Sequence, residues 1–325
     1  MSRRLWISSA VLALLVLVMA IAGWMFLRID APGPLSEDTA IVFPHGADLR
    51  QVARLLEQAG AVDQPRLFVL AARLHGDSRR LRAGEFLIPA GASIARILTI
   101  LRAGRTVLRR LTVAEGLSVA QIVDLIEAEP ALHGTLSRPP EEGSLLPETY
   151  YFSYGDDRQA LIDRMATAMD RTVDALWQAR APNLPFTSAR DGVILASIIE
   201  KETAVPAERR RIAGVFINRL RRGMRLQSDP TVAYGLGGGR PLGRALTRAD
   251  LDIPTPYNTY LIAGLPPTPI ANPGREALIA AFNPLDTNDL YFVADGQGGH
   301  AFARTLDEHL RNVRHWRAVR ATRGQ

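Results

Sequence analysis

The chain is 325 residues long, 47% hydrophobic, and carries a formal net charge of +6, a balance that fits two or three folded domains. Its arginines are dispersed, with no basic stripe interleaved with aromatics, which speaks against a nucleic-acid partner and leaves an anionic surface or substrate open. Cysteine is absent and the six histidines lack metal-ligand spacing, so disulfides and thiolate metal sites are excluded and neither metal nor cofactor is expected.

The first predicted element is a membrane span. No residue from Leu5 to Leu27 is charged, and about 20 apolar residues cross a bilayer, whereas a signal-peptide core stops at about 15. Trp6 and Trp24 stand near the ends, where aromatic belts belong. Ala20 and Ala22 could mimic a cleavage site, so a removed signal peptide is the alternative. Arg3 and Arg4 outweigh Arg28, which predicts a cytoplasmic N-terminus at the inner membrane and an extracytoplasmic remainder. Residues 1–29 therefore read as cytoplasmic tip and transmembrane helix, and "DAPGPLSED" gives a linker over 30–39.

An internal repetition follows. "IVFPHGADLRQVARLLEQAG" (41–60), "FLIPAGASIARILTILRAG" (86–104) and "RLTVAEGLSVAQIVDLIEAE" (110–129) align on Gly46, Gly91 and Gly116. Each reads as a short strand, a tight turn, a helix cap at Asp48, Ser93 or Ser118, and an amphipathic helix. With a further helical pattern over 64–76, the first two make a small α+β module. Its turn and helix pattern resembles the LysM wall-binding module, so 40–104 is read as LysM-like. Residues 105–150 are read as the third βα unit and a hinge, the hinge falling on "PPEEGSLLPETYYF" (139–152).

Residues 151–325 read as a mixed α+β domain. A helix is predicted over roughly 158–180, another through "TSARDGVILASIIEKETA", and a third opened by Pro206 and closed by Gly223. The stretches 224–239 and 253–274 read as loops, with Asn272 and Pro273 capping a short helix to Phe282. A glycine-rich hairpin over 290–303 and a last helix capped by Thr305 and Glu308 complete the chain.

The second of these helices carries Glu200 and Glu202, separated by Lys201, the only lysine of the chain. Helical geometry puts Glu202 on the apolar stripe of Ile194, Leu195, Ile198 and Ile199, and Glu200 on a smaller, more polar face. Glu202 is the acid expected to be desolvated, which raises a carboxyl pKa and suits a general acid. The bland alternative is an ordinary polar helix end. Lys201 is read as solvent-facing, and His300 as a hairpin residue rather than an acid or base.

The block "ASIIEKETAVPAERRRIAGVFINRLRRGMRLQSDPTVAYGLG" (196–237) closely resembles the signature of the MltG/YceG-like family of endolytic murein transglycosylases. "EGSLLPETYYF" (142–152), "TPYNTYLIAGLPPTPIANPG" (255–274) and "YFVADGQGGHAF" (291–302) resemble further family segments. The resemblance implies cleavage of the β-1,4 bond between N-acetylmuramic acid and N-acetylglucosamine within glycan strands. It also implies that Glu202 is the catalytic acid and then base, giving a 1,6-anhydro product, and that peptidoglycan synthases such as penicillin-binding proteins are partners. A lyase acting on aminodeoxychorismate, a label some members carry, finds no support, since no lysine sits in a Gly-rich context suited to pyridoxal phosphate.

Gln227, Ser228, Tyr257 and Asn258 fall in loops of these blocks and are expected to bind substrate hydroxyl or N-acetyl groups. Asn218, one position off the apolar stripe of its helix, is expected to orient Glu202 or the substrate. Asp229 is the candidate second carboxylate if the enzyme were instead a hydrolytic muramidase; as the bland alternative it shapes the turn at Ser228 and Pro230. A non-catalytic wall-binding scaffold is the remaining alternative.

Overall fold

The computed structural model describes residues 2–44, 46–76 and 83–322; Met1, His45, 77–82 and 323–325 lie outside it, as does the side chain of Trp6. The chain divides into two compact units. One holds residues 1–109 with 131–133 and 151–156, and the other holds 110–130, 134–150 and 157–325.

The first unit begins with α1 (Ser2–Asp30). Its segment from Val11 to Asp30 is long and apolar enough to cross a membrane. From Val11 to Met19 its large side chains are exposed, the reverse of a core helix. At its C-terminal end Ile29 is buried among α3 and α4 residues. Strand β1 (Thr39–Phe43) pairs antiparallel with β2 (Gly84–Ile88), Thr39 opposite Ile88 and Phe43 opposite Gly84. Helices α2 (Leu49–Gln58), α3 (Pro65–Leu74) and α4 (Ile94–Ala103) close the core over Phe43, Leu56, Phe68, Phe86, Ile97 and Leu98.

The strand–turn–cap recurrence is physical. Asp48 and Ser93 accept the N–H groups of Gln51 and Arg96 at the starts of α2 and α4. Ser118 does the same for Gln121 at the start of α5 (Val119–Glu127), in a complete capping box. The turn glycines before them, Gly46, Gly91 and Gly116, all have φ between 64° and 78°, a left-handed geometry in which a Cβ is strained.

The second unit has a helical centre. Helices α6 (Arg158–Gln178), α7 (Ala189–Glu202), α8 (Arg209–Arg221) and α11 (Arg275–Phe282) bury Leu195, Ile198, Ile199, Phe216, Leu278 and Phe282. Helix α7 is buried at every position from Gly192 to Ile199, so this segment is apolar all round rather than striped. At Gly192 a Cβ would collide with the Phe282 ring, which is why α7 and α11 can lie so close. The hairpin of β5 (Tyr291–Ala294) and β6 (His300–Ala303) pairs Tyr291 with Ala303 and is covered by α12 (Leu306–Thr322).

Four expectations are corrected. The predicted hinge contains a strand, β4 (Thr149–Ser153), paired with β3 (Leu108–Thr112). The predicted loop 224–239 contains α9 (Asp229–Gly237). Its glycines cost helix propensity, but a Cβ on Gly235 would stand 2.6 Å from Thr255 Oγ1. Close packing thus overrides propensity there. Pro206 opens a short 3-10 turn to Glu208, and α8 starts only at Arg209. The cap of α11 is Gly274, not Asn272, because the Asn272 amide is engaged by Leu145, Leu117 and Glu142. The loop after α9 also holds a single turn, α10 (Arg248–Leu251).

Candidate active site

Glu202 is the last residue of α7, where the apolar helix reaches a cavity of about 420 Å³. Arg219, Gln227, Asp229, Tyr260, Phe292 and His309 are among the residues that line it with Glu202. Burial raises the pKa of Glu202 above its ordinary value of 4.5, and the charge of Asp229 adds to the rise. The Ser228 hydroxyl, hydrogen-bonded to Glu202 Oε1, opposes it, as do His300 and Arg219. The position at a helix C-terminus also disfavours the ionised form.

Ser228 is held from behind. It is 1% exposed, its N–H donates to Thr259 Oγ1 at 3.0 Å, and its carbonyl accepts from Thr231 Oγ1 at 2.7 Å. Gln227, at φ 52°, is one of two described non-glycine residues in the left-handed region. Such strain is stored where structure over-determines it. Here the twist sets the Gln227 N–H on Thr259 O at 3.1 Å and leaves the next hydroxyl on Glu202.

Arg219 supplies a buried positive charge beside the acid. It is 7% exposed and fixed by Leu290 O and Leu226 O, each at 2.7 Å. Asp229 accepts the Tyr260 hydroxyl at 2.6 Å. His309 stacks on Tyr291 with ring centroids 5.2 Å apart, and burial lowers its pKa, favouring the neutral ring.

Burial acts on both glutamates, and more strongly on Glu202. The Glu200 side chain is 6% exposed and its pKa is also raised by burial. Their partners separate them. Glu200 accepts the Gly274 N–H at 2.9 Å and lies 3.6 Å from Arg209, so it ties α7 to the start of α11 and does not line the cavity of Glu202. Lys201 is exposed, and its Nζ donates to Gly116 O at 3.2 Å.

The other candidate residues fall outside the cavity. The Asn218 amide donates to Thr287 O at 2.6 Å and Asp289 O at 3.1 Å, pinning the approach to β5 rather than reaching Glu202. Asn258 is fully buried and bonds Leu251 O, Ile253 O and the Tyr260 N–H, so it shapes the loop that carries Tyr260. Tyr257 packs on Tyr234 with centroids 4.9 Å apart and shares a hydrogen bond with Thr268 at 2.8 Å. His300 is bound through Nδ1 to Glu208 at 2.6 Å. Among the described residues no cluster of three or more His, Asp or Glu could hold a metal ion.

Sequence reasoning missed Arg219, Tyr260 and His309. An arginine on the apolar stripe of α8, in line with Ile212, Val215 and Phe216, was the signal for the first. Tyr260 and His309 come from distant segments and meet the cavity only through the fold.

Residues 41–315 match the model of the YceG-like family. The chain belongs to that family. This YceG-like chain is 31% identical over 301 residues to a Bacillus subtilis protein named endolytic murein transglycosylase, covering 83% of this chain and 82% of that one. A Streptococcus pneumoniae protein of the same name is 29% identical over 319 residues; the match covers 83% of this chain and 57% of the streptococcal one. The crystal structure of a yceG-like protein from Listeria monocytogenes superposes with a TM-score of 0.53 at 30% identity, covering 85% of this chain and 99% of that one. The mixed helix-and-sheet architecture is therefore the YceG-like fold.

Proposed function

We propose that this chain is a membrane-anchored peptidoglycan lytic transglycosylase, the activity named in its Bacillus relative, with Glu202 as its acid and base. The observation that carries the reading is a carboxyl with a raised pKa, held by Ser228 at the wall of an open cavity. Protonated, Glu202 gives its proton to the glycosidic oxygen as the bond from muramoyl C1 to the GlcNAc oxygen breaks. The carboxylate so formed is stabilised by Ser228 and by the buried charge of Arg219. It then takes the proton of the muramoyl C6 hydroxyl as O6 bonds C1. Glu202 is restored and a 1,6-anhydro end is released, with no water consumed.

Ordinary glycosidases use two carboxylates, one of them for water or for covalent attack. A nucleophile already attached to the substrate replaces that second group. Asp229 lines the same cavity, which favours a muramidase as the second reading, with Asp229 activating water. Mass spectrometry of digested strands separates the two. The transglycosylase leaves anhydro ends, and the muramidase leaves reducing ends heavier by one water.

Helix α1 anchors the chain with its N-terminus in the cytoplasm and residues 30–325 outside the inner membrane. Residues 40–104 act as a LysM-like wall-binding module, supported by the strand, two helices, strand and capped helix found there. Peptidoglycan synthases are the partners. Gln227, which lines the cavity, is the loop residue that meets substrate, Ser228 acts through Glu202, and Asn218, Tyr257 and Asn258 act by shaping the walls.

A further inference from the structure

Glu202 and Lys201 are consecutive, so their side chains leave α7 about 100° apart and serve two different cavities. The cavity of Lys201 measures about 350 Å³. Asp229 lines it as well as the cavity of Glu202, so the two are neighbours that share this residue in their walls. The remaining walls are largely carbon: Pro230 and Ala233 from α9, and Leu242 and Leu246 from the loop beyond it. Of its two cations, Arg240 is paired bidentately with Asp124, at 2.6 and 3.2 Å. The Lys201 ammonium has three donors, and Gly116 O takes one.

We propose that this cavity receives the acidic stem peptide carried by the muramoyl residue at the cleavage point. The proposal rests on the transglycosylase reading. The lactyl ether and peptide branch from O3 of the same sugar whose C1 faces the acid, so they leave that sugar beside the scissile bond. Lactyl and alanyl methyl groups suit walls of proline, alanine and leucine. A peptide carboxylate, ionised at neutral pH, suits the ammonium, and an amide N–H suits the carboxylate of Asp229 in the shared wall. A further sugar of the strand would present hydroxyls to these carbon walls and offer the ammonium no charged partner of its own. Lys201 thereby acts as a specificity residue for peptide-bearing strands.

The test uses the full chain in detergent on two preparations of the same strands, one bearing stem peptides and one stripped of them by an amidase. The reading is the ratio of kcat/KM on the two. The wild type is expected to favour peptide-bearing strands, and Lys201→Met to lower the ratio about tenfold through KM, the loss of one charge-assisted contact. Leu242→Asp is expected to lower the ratio too, and Lys201→Arg to restore most of it. A ratio in Lys201→Met within about twofold of wild type overturns the proposal alone. So does a wild type that prefers stripped strands, which would assign the cavity to a further sugar. If the wild type cuts neither preparation, the functional reading falls and this proposal with it.

Discussion

Ser228 donates its hydroxyl hydrogen to Glu202 Oε1 while Thr259 and Thr231 hold Ser228 in place. This arrangement joins the end of α7 to the start of α9. It opposes the burial that raises the Glu202 pKa, so it tunes the acid as well as aiming it.

Removing the hydroxyl has a signed consequence. Ser228→Ala raises the Glu202 pKa further and frees its rotamer. The rate of strand cleavage should fall by about ten- to a hundredfold, the weight of one hydrogen bond to a charged group. The alkaline limb of the pH profile should move upward. A profile that moves downward, or does not move, contradicts the assignment.

Glu202 also affects stability through pH. Its pKa is raised on folding, so the folded chain binds this proton more tightly than the unfolded chain does. Stability associated with Glu202 is therefore fully present below its ordinary value of 4.5 and is lost as pH rises through the elevated folded value. Glu202→Gln removes that loss. Thermal unfolding should find the variant more stable than wild type at neutral pH, with the advantage shrinking as pH falls toward 4.5. An advantage independent of pH would contradict the buried-acid account.

Asn218 should behave as a structural residue. Asn218→Ala leaves the carbonyls of Thr287 and Asp289 without their amide partner, at a cost of about 1–3 kcal/mol. The expected outcome is a lower melting temperature with the product pattern of the wild type. Selective loss of cleavage at unchanged stability would return Asn218 to the site.

The elements legible in the sequence were those written in local chemistry. Asp48, Ser93 and Ser118 marked three helix starts because capping is a short-range hydrogen bond. The hairpin 291–303 and the cap at Thr305 were readable for the same reason. Helix α9 was not, since Gly235 answers to Thr255 and Tyr257 rather than to its own segment. The distinction between Glu200 and Glu202 was only half legible. Periodicity gave each a face, but the Gly274 N–H and Arg209 that engage Glu200 come from other helices. Asn218, beside an apolar stripe, and Asn258, in a loop, read as binding groups because a polar side chain has the same sequence pattern whether it meets ligand or backbone.

The most direct test compares Glu202→Gln with Glu200→Gln on glycan strands, counting 1,6-anhydro ends by mass spectrometry. Glu202→Gln should lose at least about a hundredfold in rate, the scale of a removed general acid. Glu200→Gln keeps its bond to the Gly274 N–H and should retain cleavage within about tenfold of wild type. Cleavage that survives Glu202→Gln and vanishes with Glu200→Gln would contradict the account.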